Sequence, residues 1–451
     1  MFENILHQPV TERLVADITA GSLAPAILFS GPEYGGKGAA ALELARVLGC
    51  EGENPGGWNC SCPSCVRHRG LASPDLLLLG RRCFFQEIAA SSRAFLRGLE
   101  GEPGKFGGGA RILFIRSVRK LLARFDPVLW EDDPKLGKIG VHISALEEDL
   151  GDFEGMPPQG SGENVKKLLD GILKKAAKLE AEGLGELIPI AWIRRASYWT
   201  RLAPLGRRKC VIIENADQTQ EGAKNSLLKI LEEPPPRVTL VLTSSRPRSL
   251  PPTLLSRLRE YRFVKRSLQG EREVISRIFR EPLEAEKAVP AGESGAIETY
   301  LNSFLPASGE TLYPLGAFFA ASVAAEAARG LRRKRRDIPP VLADLGKFAV
   351  PIAGEAGMSR PAEDFKGALE TILKGADNFE VPGLWRQFLR NIESFLSAWL
   401  RNGQGGPEKS VWAGLWLREL NRAAAETGSY NIAPPMALER LLEALKTGIG
   451  A

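Results

Sequence analysis

Short, uninterrupted apolar runs alternate with amphipathic stretches through much of the first 265 residues. Ala24–Ser30 is one such run; it ends in GPEYGGKG and passes into AAALELARVLG. That order predicts a buried strand, a glycine loop and an amphipathic helix ending at Gly49. Pro74-Asp75 leads into four leucines, Leu76–Leu79, a second buried strand. Ile190–Trp199 has helical spacing, and Cys210–Ile213 and Val238–Leu242 read as two further buried strands. Between these two lies Ala223–Glu232, a helix stopped by Pro234-Pro235-Pro236 because proline cannot continue the hydrogen-bond ladder. Strands that alternate with helices predict a parallel sheet covered on both faces.

From about Arg81 to Gly185 the strand rhythm stops. Ile112, Ile115, Val118, Leu122 and Phe125 recur at helical spacing, as do Val165, Leu168, Leu169, Ile172, Leu173, Ala176 and Leu179. The tract GEPGKFGGGAR reads as loop, and WEDDPKLGK and GMPPQGSG read as turns. This region is expected to be a helical insertion in an α/β domain. After about Val264 the strand signal disappears and helical patterns run to the end, with loops at VPAGESG, RNGQGGPEK and NIAPP. There is no internal repeat.

With 451 residues, 44% apolar and 25% charged, the chain has globular proportions and the length of about three domains. A net charge of +6 is too small for a polycation, although a local basic stripe could still meet nucleic acid. The N-terminal MFENILHQPVTERL carries Glu3 and Glu12 and has no apolar core, so no signal peptide is expected. The most apolar stretch, Leu312–Ala325, falls short of the roughly 20 residues a spanning helix needs. A soluble cytoplasmic protein is the expectation.

Of six cysteines, four crowd into Cys50, Cys60, Cys62 and Cys65. In a reducing compartment such a cluster points to a closed, structural tetrathiolate zinc site rather than to disulfides. Its spacing, Cys-x9-Cys-x-Cys-x2-Cys, is tight at the single residue between Cys60 and Cys62. Either Cys60 adapts through the GGWN loop, or His68 takes its place. Cys83 and Cys210 fall outside the pattern and are expected to be structural.

Gly31–Gly38 stands between strand and helix, as a phosphate loop requires. In the full pattern, backbone N–H groups and a lysine hold phosphate, and a final Ser or Thr ligates Mg²⁺. Gly31, Gly36 and Lys37 keep that pattern, whereas Gly38 has no oxygen to offer. The partner strand ends in Glu214-Asn215, where hydrolysis needs Asp-Glu to hold Mg²⁺ and orient water. ATP hydrolysis by this chain alone is therefore not expected, and the loop reads as a weakened or vestigial nucleotide pocket.

These segments, with VIIENAD, NSLLKILEEPPPRVTLVLTSS, LPPTLLSRL and the C-terminal SYNIAPPMALERLLEAL, resemble the AAA+ clamp-loader subunits of bacterial DNA polymerase III. LLKILEEPP carries the likeness furthest. It covers Met1–Gly80, Ile188–Val264 and the C-terminal helices, and leaves out Arg81–Gly185. Damaged nucleotide motifs beside a retained Ser256-Arg257 are similar to the delta prime branch of that family. The resemblance implies a P-loop-type AAA+ core over 1–265 with the zinc module at 50–65, a helical lid over 266–308 and an all-α collar over 309–451. It also implies Cys-x8-Cys-x2-Cys-x2-Cys for the metal site, from which this chain departs by one position. Arg257 would act in trans on ATP bound to a neighbouring gamma- or tau-type motor subunit; Leu258 replaces the usual Cys. A lid arginine would be replaced by Gly295. The implied partners are the motor subunits, the delta subunit, the sliding clamp and primer–template DNA.

The alternatives are an active motor subunit of the same loader, against which Gly38 and Asn215 argue, and a free-standing zinc-dependent DNA-binding protein. The second is weak because the dense basic run, Arg332–Arg336, is far from the cysteines. That run is expected to be a solvated helix end. Trp385, Phe388, Phe395, Trp399, Trp412 and Trp416 have helical spacing and are expected in a core or subunit interface.

Overall fold

In the computed structural model, the description covers residues 1–80, 84–100, 107–157, 162–185, 187–281, 295–305, 309–333, 335, 337–355, 381–402, 408–429 and 432–448. Among these residues the chain forms two compact units, which part between Leu301 and Asn302.

The first unit is built on a parallel sheet of β1 (Ala26–Ser30), β2 (Leu76–Leu79), β3 (Lys209–Ile213), β4 (Val238–Ser244) and β5 (Arg259–Arg262). Their spatial order is β2-β3-β4-β1-β5, every neighbouring pair parallel. This is the α/β sheet core expected for an AAA+ domain. The four apolar runs are buried at every position, as a sheet covered on both faces requires. Strand β5 was not foreseen. Arg259, Glu260 and Arg262 are exposed and only Tyr261 is buried, so its sequence lacks an apolar run. Charge along an exposed edge is also what keeps an edge strand from pairing with another chain.

Helices α1 (Val10–Thr19) and α2 (Lys37–Leu48) cover one face. Leu14, Ala41 and Leu44 join Ile27, Phe29, Leu78, Ile212, Val241, Tyr261 and Phe263 in one core. A short helix, α3 (Pro63–Arg69), follows α2. The region read as an insertion supplies α4 (Phe85–Glu100), α5 (Gly107–Leu122), α6 (Pro127–Trp130), α7 (Leu136–Gly155) and α8 (Gly162–Gly183). Together with α9 (Ile190–Trp199) and α10 (Glu221–Glu232) they share a core with Leu77, Leu79, Val211, Ile213, Leu240 and Leu242 on the opposite face. The insertion is thus part of the sheet's cover rather than an outlying module. Its helices are also tied by polar contacts: Glu180 of α8 accepts the backbone N–H groups of Phe84 and Phe85 at 3.0 Å each, satisfying donors at the start of α4.

Two details of the insertion differ from expectation. Helix α5 begins inside the glycine tract, at Gly107. Its buried face is Ala110, Phe114, Val118 and Leu121, while Ile112 is 57% exposed. A run rich in apolar residues on several faces fixes the helix but not which face turns inward. Helix α8 buries Val165, Leu169, Ile172, Ala176 and Leu179, as its spacing predicts. After β4 come α11 (Pro252–Leu255), α12 (Leu268–Phe279) and α13 (Ala296–Asn302).

The second unit is helical, with helices at Gly309–Arg333, Pro340–Glu355, Val381–Arg401, Glu408–Ser429 and Pro434–Gly448. Trp385, Phe388, Phe395, Trp399 and Trp416 are buried in its core, and Trp412 packs against it half-buried. Trp399 Nε1 donates to the half-buried Asp344 at 2.8 Å, so the polar end of the buried indole is satisfied.

The facing of α5 gives a direct test. Phe114→Ala should destabilise the first unit by about 3–5 kcal/mol, whereas Ile112→Ala should stay within about 0.5 kcal/mol of the parent. Urea unfolding of both variants checks this; equal destabilisation would show the face to be misassigned.

Candidate metal centre and phosphate loop

Between α2 and α3 the chain makes a polar loop that has no core of its own. Cys50 lies just past the end of α2, Cys62 caps α3 and Cys65 lies within it. The sulfurs of Cys50, Cys60, Cys62 and Cys65 all lie within 4.8 Å of one another. Cys50 and Cys65 are buried, and Cys60 and Cys62 half-buried. The Cys50–Cys60 sulfur separation is 3.7 Å. A tetrahedral ion with metal–sulfur bonds of about 2.3 Å would place its ligands about 3.8 Å apart, so the donors fit.

Cys60, rather than His68, lies with the other three sulfurs. A Cβ at residue 52 would lie 2.7 Å from Cys60 Sγ, so glycine there makes the room Cys60 needs to reach the others. His68 is buried outside the group, with Nε2 3.3 Å from Ser73 Oγ, and burial pulls its pKa down to about 4. Burial opposes ionisation of Cys62, yet the backbone N–H groups of Cys65 and Glu51 point at its sulfur and bring the thiol down to about 6. Burial and the neighbouring thiols push Cys65 up to about 12. Such a cluster favours an ion that takes the protons' place. Cys210 lies inside β3, where burial raises its thiol to about 12 and leaves it inert. Cys83 lies outside the described residues.

The phosphate loop sits between β1 and α2, as its sequence predicts. Gly31 (φ +134°) and Gly36 (φ +90°) take conformations that side chains resist, and a Cβ on Gly31 would strike the Phe263 carbonyl. Lys37 is 7% exposed; its ammonium donates to the carbonyls of Gly31 at 2.8 Å and Pro32. Burial lowers its pKa to about 8 against the pull of Glu33, Asp217 and Glu214. Arg266, unnoticed in the sequence, donates to the Tyr34 carbonyl at 2.6 Å and the Leu6 carbonyl at 2.9 Å. Its guanidinium lies 2.9 Å from where a Cβ on Gly36 would stand. The loop's carbonyls are thus engaged by two cations of the chain itself.

At Gly38 the expected hydroxyl is missing and the space is taken. A Cβ there would overlap Glu214 Oε1. Glu214 is 7% exposed and ion-paired with Arg124, itself 1% exposed, from the 3-10 turn Ala123–Phe125 that follows α5. The Arg124 guanidinium lies over Phe84, 5.3 Å from the ring centre. The Trp130 indole donates to the Arg124 carbonyl at 2.8 Å. Asn215 has a left-handed backbone (φ 51°), with its N–H on Thr243 Oγ1 at 3.1 Å. Nothing in the sequence around Arg124 marked it as a partner of the β3 carboxylate.

Arg257 follows α11 and is 35% exposed in its side chain. It donates to Glu232 Oε1 and to the Thr253 carbonyl, both at 2.8 Å. Gly295, at the start of α13, has the Glu271 carboxylate in the space a side chain would need; Glu271 accepts the Ile297 N–H at 3.3 Å. Arg332 and Arg333 are exposed at the end of their helix, while Lys334 and Arg336 lie outside the described residues.

A family model described as DNA polymerase III, delta subunit, matches residues 6–122 and 154–267, just over half of the chain. The chain belongs to this DNA polymerase III subunit family. The match runs into the region from Arg81 to Gly185, which the sequence resemblance left out, and omits only 123–153 there. Arg124 falls in that unmatched stretch. Among solved structures, the chain is similar to a DNA polymerase III gamma subunit-related protein from Thermotoga maritima. The two are 20% identical over 58% of this chain and 80% of that one, with a TM-score of 0.31. No curated protein matches. Membership makes the chain a subunit of clamp-loader type. Among the described residues, no helix is long and apolar enough to cross a membrane.

The thiol cluster predicts one tightly held zinc per chain, structural because four protein ligands leave no open position. Elemental analysis of chelator-free protein should find close to one equivalent, and Cys65→Ser should lose most of it. A wild-type chain without stoichiometric metal would refute the site.

Proposed function

We propose that the chain is the non-hydrolytic stator, delta prime, of the DNA polymerase III clamp loader, and that it lends Arg257 to ATP bound by a neighbouring gamma- or tau-type subunit. The observation that carries this reading is the Arg124–Glu214 pair at Gly38. A hydrolysing P-loop needs an oxygen ligand for Mg²⁺ there and a free carboxylate at the end of the partner strand. Here the carboxylate fills the ligand's place and its charge is already matched by a buried guanidinium.

Several features support the stator role. Arg93 and Arg97 of α4 pair with Glu281 just past α12, which ties the region read as lid to the core. Arg257 sits on the surface, and its ion pair with Glu232 is of a kind worth only about 0–1 kcal/mol. A phosphate oxygen could therefore displace Glu232 at little cost, gaining the bidentate geometry guanidinium offers. In this reading residues 266–308 form the lid and 309–451 the collar that joins the ring, with the delta subunit, sliding clamp and primer–template DNA as further partners. The cytoplasm is the corresponding compartment.

Two experiments bear on the reading. Purified chain should release no phosphate from ATP, and Gly38→Ser should not restore turnover. Instead the new Cβ should clash with Glu214 and destabilise the first unit by about 1–3 kcal/mol. Turnover by the wild-type chain that Lys37→Ala abolishes would establish the motor-subunit alternative instead.

In reconstituted rings, Arg257→Ala should leave assembly intact and lower clamp- and DNA-stimulated ATPase by the share of one site. Arg257→Lys should rescue it poorly, because an ammonium lacks the planar fork. Wild-type hydrolysis and clamp loading by the alanine ring would remove the trans role.

A further inference from the structure

Arg46 belongs to the last turn of α2, and its side chain is 2% exposed. Arginine is rarely buried so completely unless its charge is matched. Glu43, one turn earlier, matches part of it: Nη2 and Nε of Arg46 reach its two carboxylate oxygens at 2.6 and 2.8 Å. The remaining donors leave the helix. Nη1 donates to the Gly57 carbonyl at 3.0 Å and to Cys65 Sγ at 3.2 Å, and Nη2 donates to the Gly56 carbonyl at 2.9 Å. The guanidinium also lies 5.8 Å from the centre of the Trp58 ring. One side chain therefore holds three successive residues of the loop between Cys50 and Cys60, together with one of the four sulfurs.

Four thiolates around a divalent cation carry an excess of two negative charges. In a partly buried site that excess must be met by donors or by positive charge. Among the described residues, Arg46 is the cationic side chain hydrogen-bonded to a sulfur of the set. We propose that Arg46 is a positioning residue of the metal centre, compensating the charge of a tetrathiolate and fixing Cys65 and the 56–58 loop around the ion. The proposal rests on the metal reading above and assigns the phosphate-loop helix a second task, that of holding the metal module.

The loop does not depend on Arg46 alone for its shape. Arg69 donates to the carbonyls of Trp58 at 2.5 Å and of Cys60, so variants at residue 46 are expected to fold. The test compares the full-length wild-type chain with Arg46→Gln, Arg46→Lys and Glu43→Gln. The readouts are zinc content, zinc affinity by chelator competition, and the absorption of the Co²⁺-substituted proteins. Arg46→Gln should still take one metal but hold it about 10–100-fold more weakly. Arg46→Lys, which keeps the charge, should fall between it and wild type, and Glu43→Gln should hold metal at least as tightly as wild type. All variants should keep the sulfur-to-cobalt bands of four thiolates.

Wild-type affinity in Arg46→Gln, or Arg46→Lys no tighter than Arg46→Gln, would overturn the proposal and leave the metal site standing. So would a loss in Glu43→Gln equal to that in Arg46→Gln, which would mark a scaffold role alone. A wild-type chain that takes no metal would overturn the metal reading itself, and this proposal with it.

Discussion

The carboxylate of Glu214 stands buried just past the end of β3, a strand paired on both sides, and it cannot stand there unmatched. Removing one partner of a buried ion pair costs about 3–5 kcal/mol, a large fraction of a domain's stability. Arg124 is the partner, and much of the first unit follows from bringing it there. It must arrive from the side of the sheet covered by α4 to α8, with the rigid turn 123–125 fixed by Trp130. Glycine at residue 38 leaves room for the carboxylate, since a Cβ there would overlap it unless the pair moved. The stretch outside the family match begins with this turn.

Helix α2 is where two different chemistries meet. Lys37 at its start turns inward to the loop's carbonyls, and Arg46 in its last turn turns outward to the cysteine module. A helix is a stiff spacer of 1.5 Å per residue, so the two ends are held in fixed relation. The cysteine loop cannot bury enough apolar surface to order itself. Its order is borrowed from the helix through Arg46, from α3 through Arg69, and from whatever ion the four sulfurs hold.

What the sequence made legible follows the physics of burial. β1 to β4 are continuous apolar runs because both faces of the sheet are covered, and each was visible without any knowledge of the fold. β5 was invisible because an edge strand can be polar at three positions of four. The cysteine cluster announced itself by spacing, but the room that Gly52 leaves beside Cys60 Sγ, an absence of atoms, did not. Arg124, Arg266 and Arg46 were all unreadable. A buried arginine and a solvated one look alike in a string of letters, and only the fold says which carboxylate, carbonyl or sulfur it meets.

The glycines at 38 and 295 show how a position without a side chain can still be a filled one. Simple loss of a side chain leaves a cavity, which destabilises in proportion to its volume. Neither position is such a cavity. Glu214 fills the space at 38, where the full phosphate-loop pattern has a hydroxyl; Glu271 fills the space at 295, where the family resemblance sets a lid arginine. Each carboxylate is hydrogen-bonded or ion-paired within the chain, to Arg124 in one case and to the Ile297 N–H in the other. At Gly38 the carboxylate takes the place of a metal-ligating hydroxyl, and its charge is matched by Arg124 rather than left for a metal ion. A side chain at either glycine would have to displace an acid already bonded within the chain, so such a substitution works against the fold.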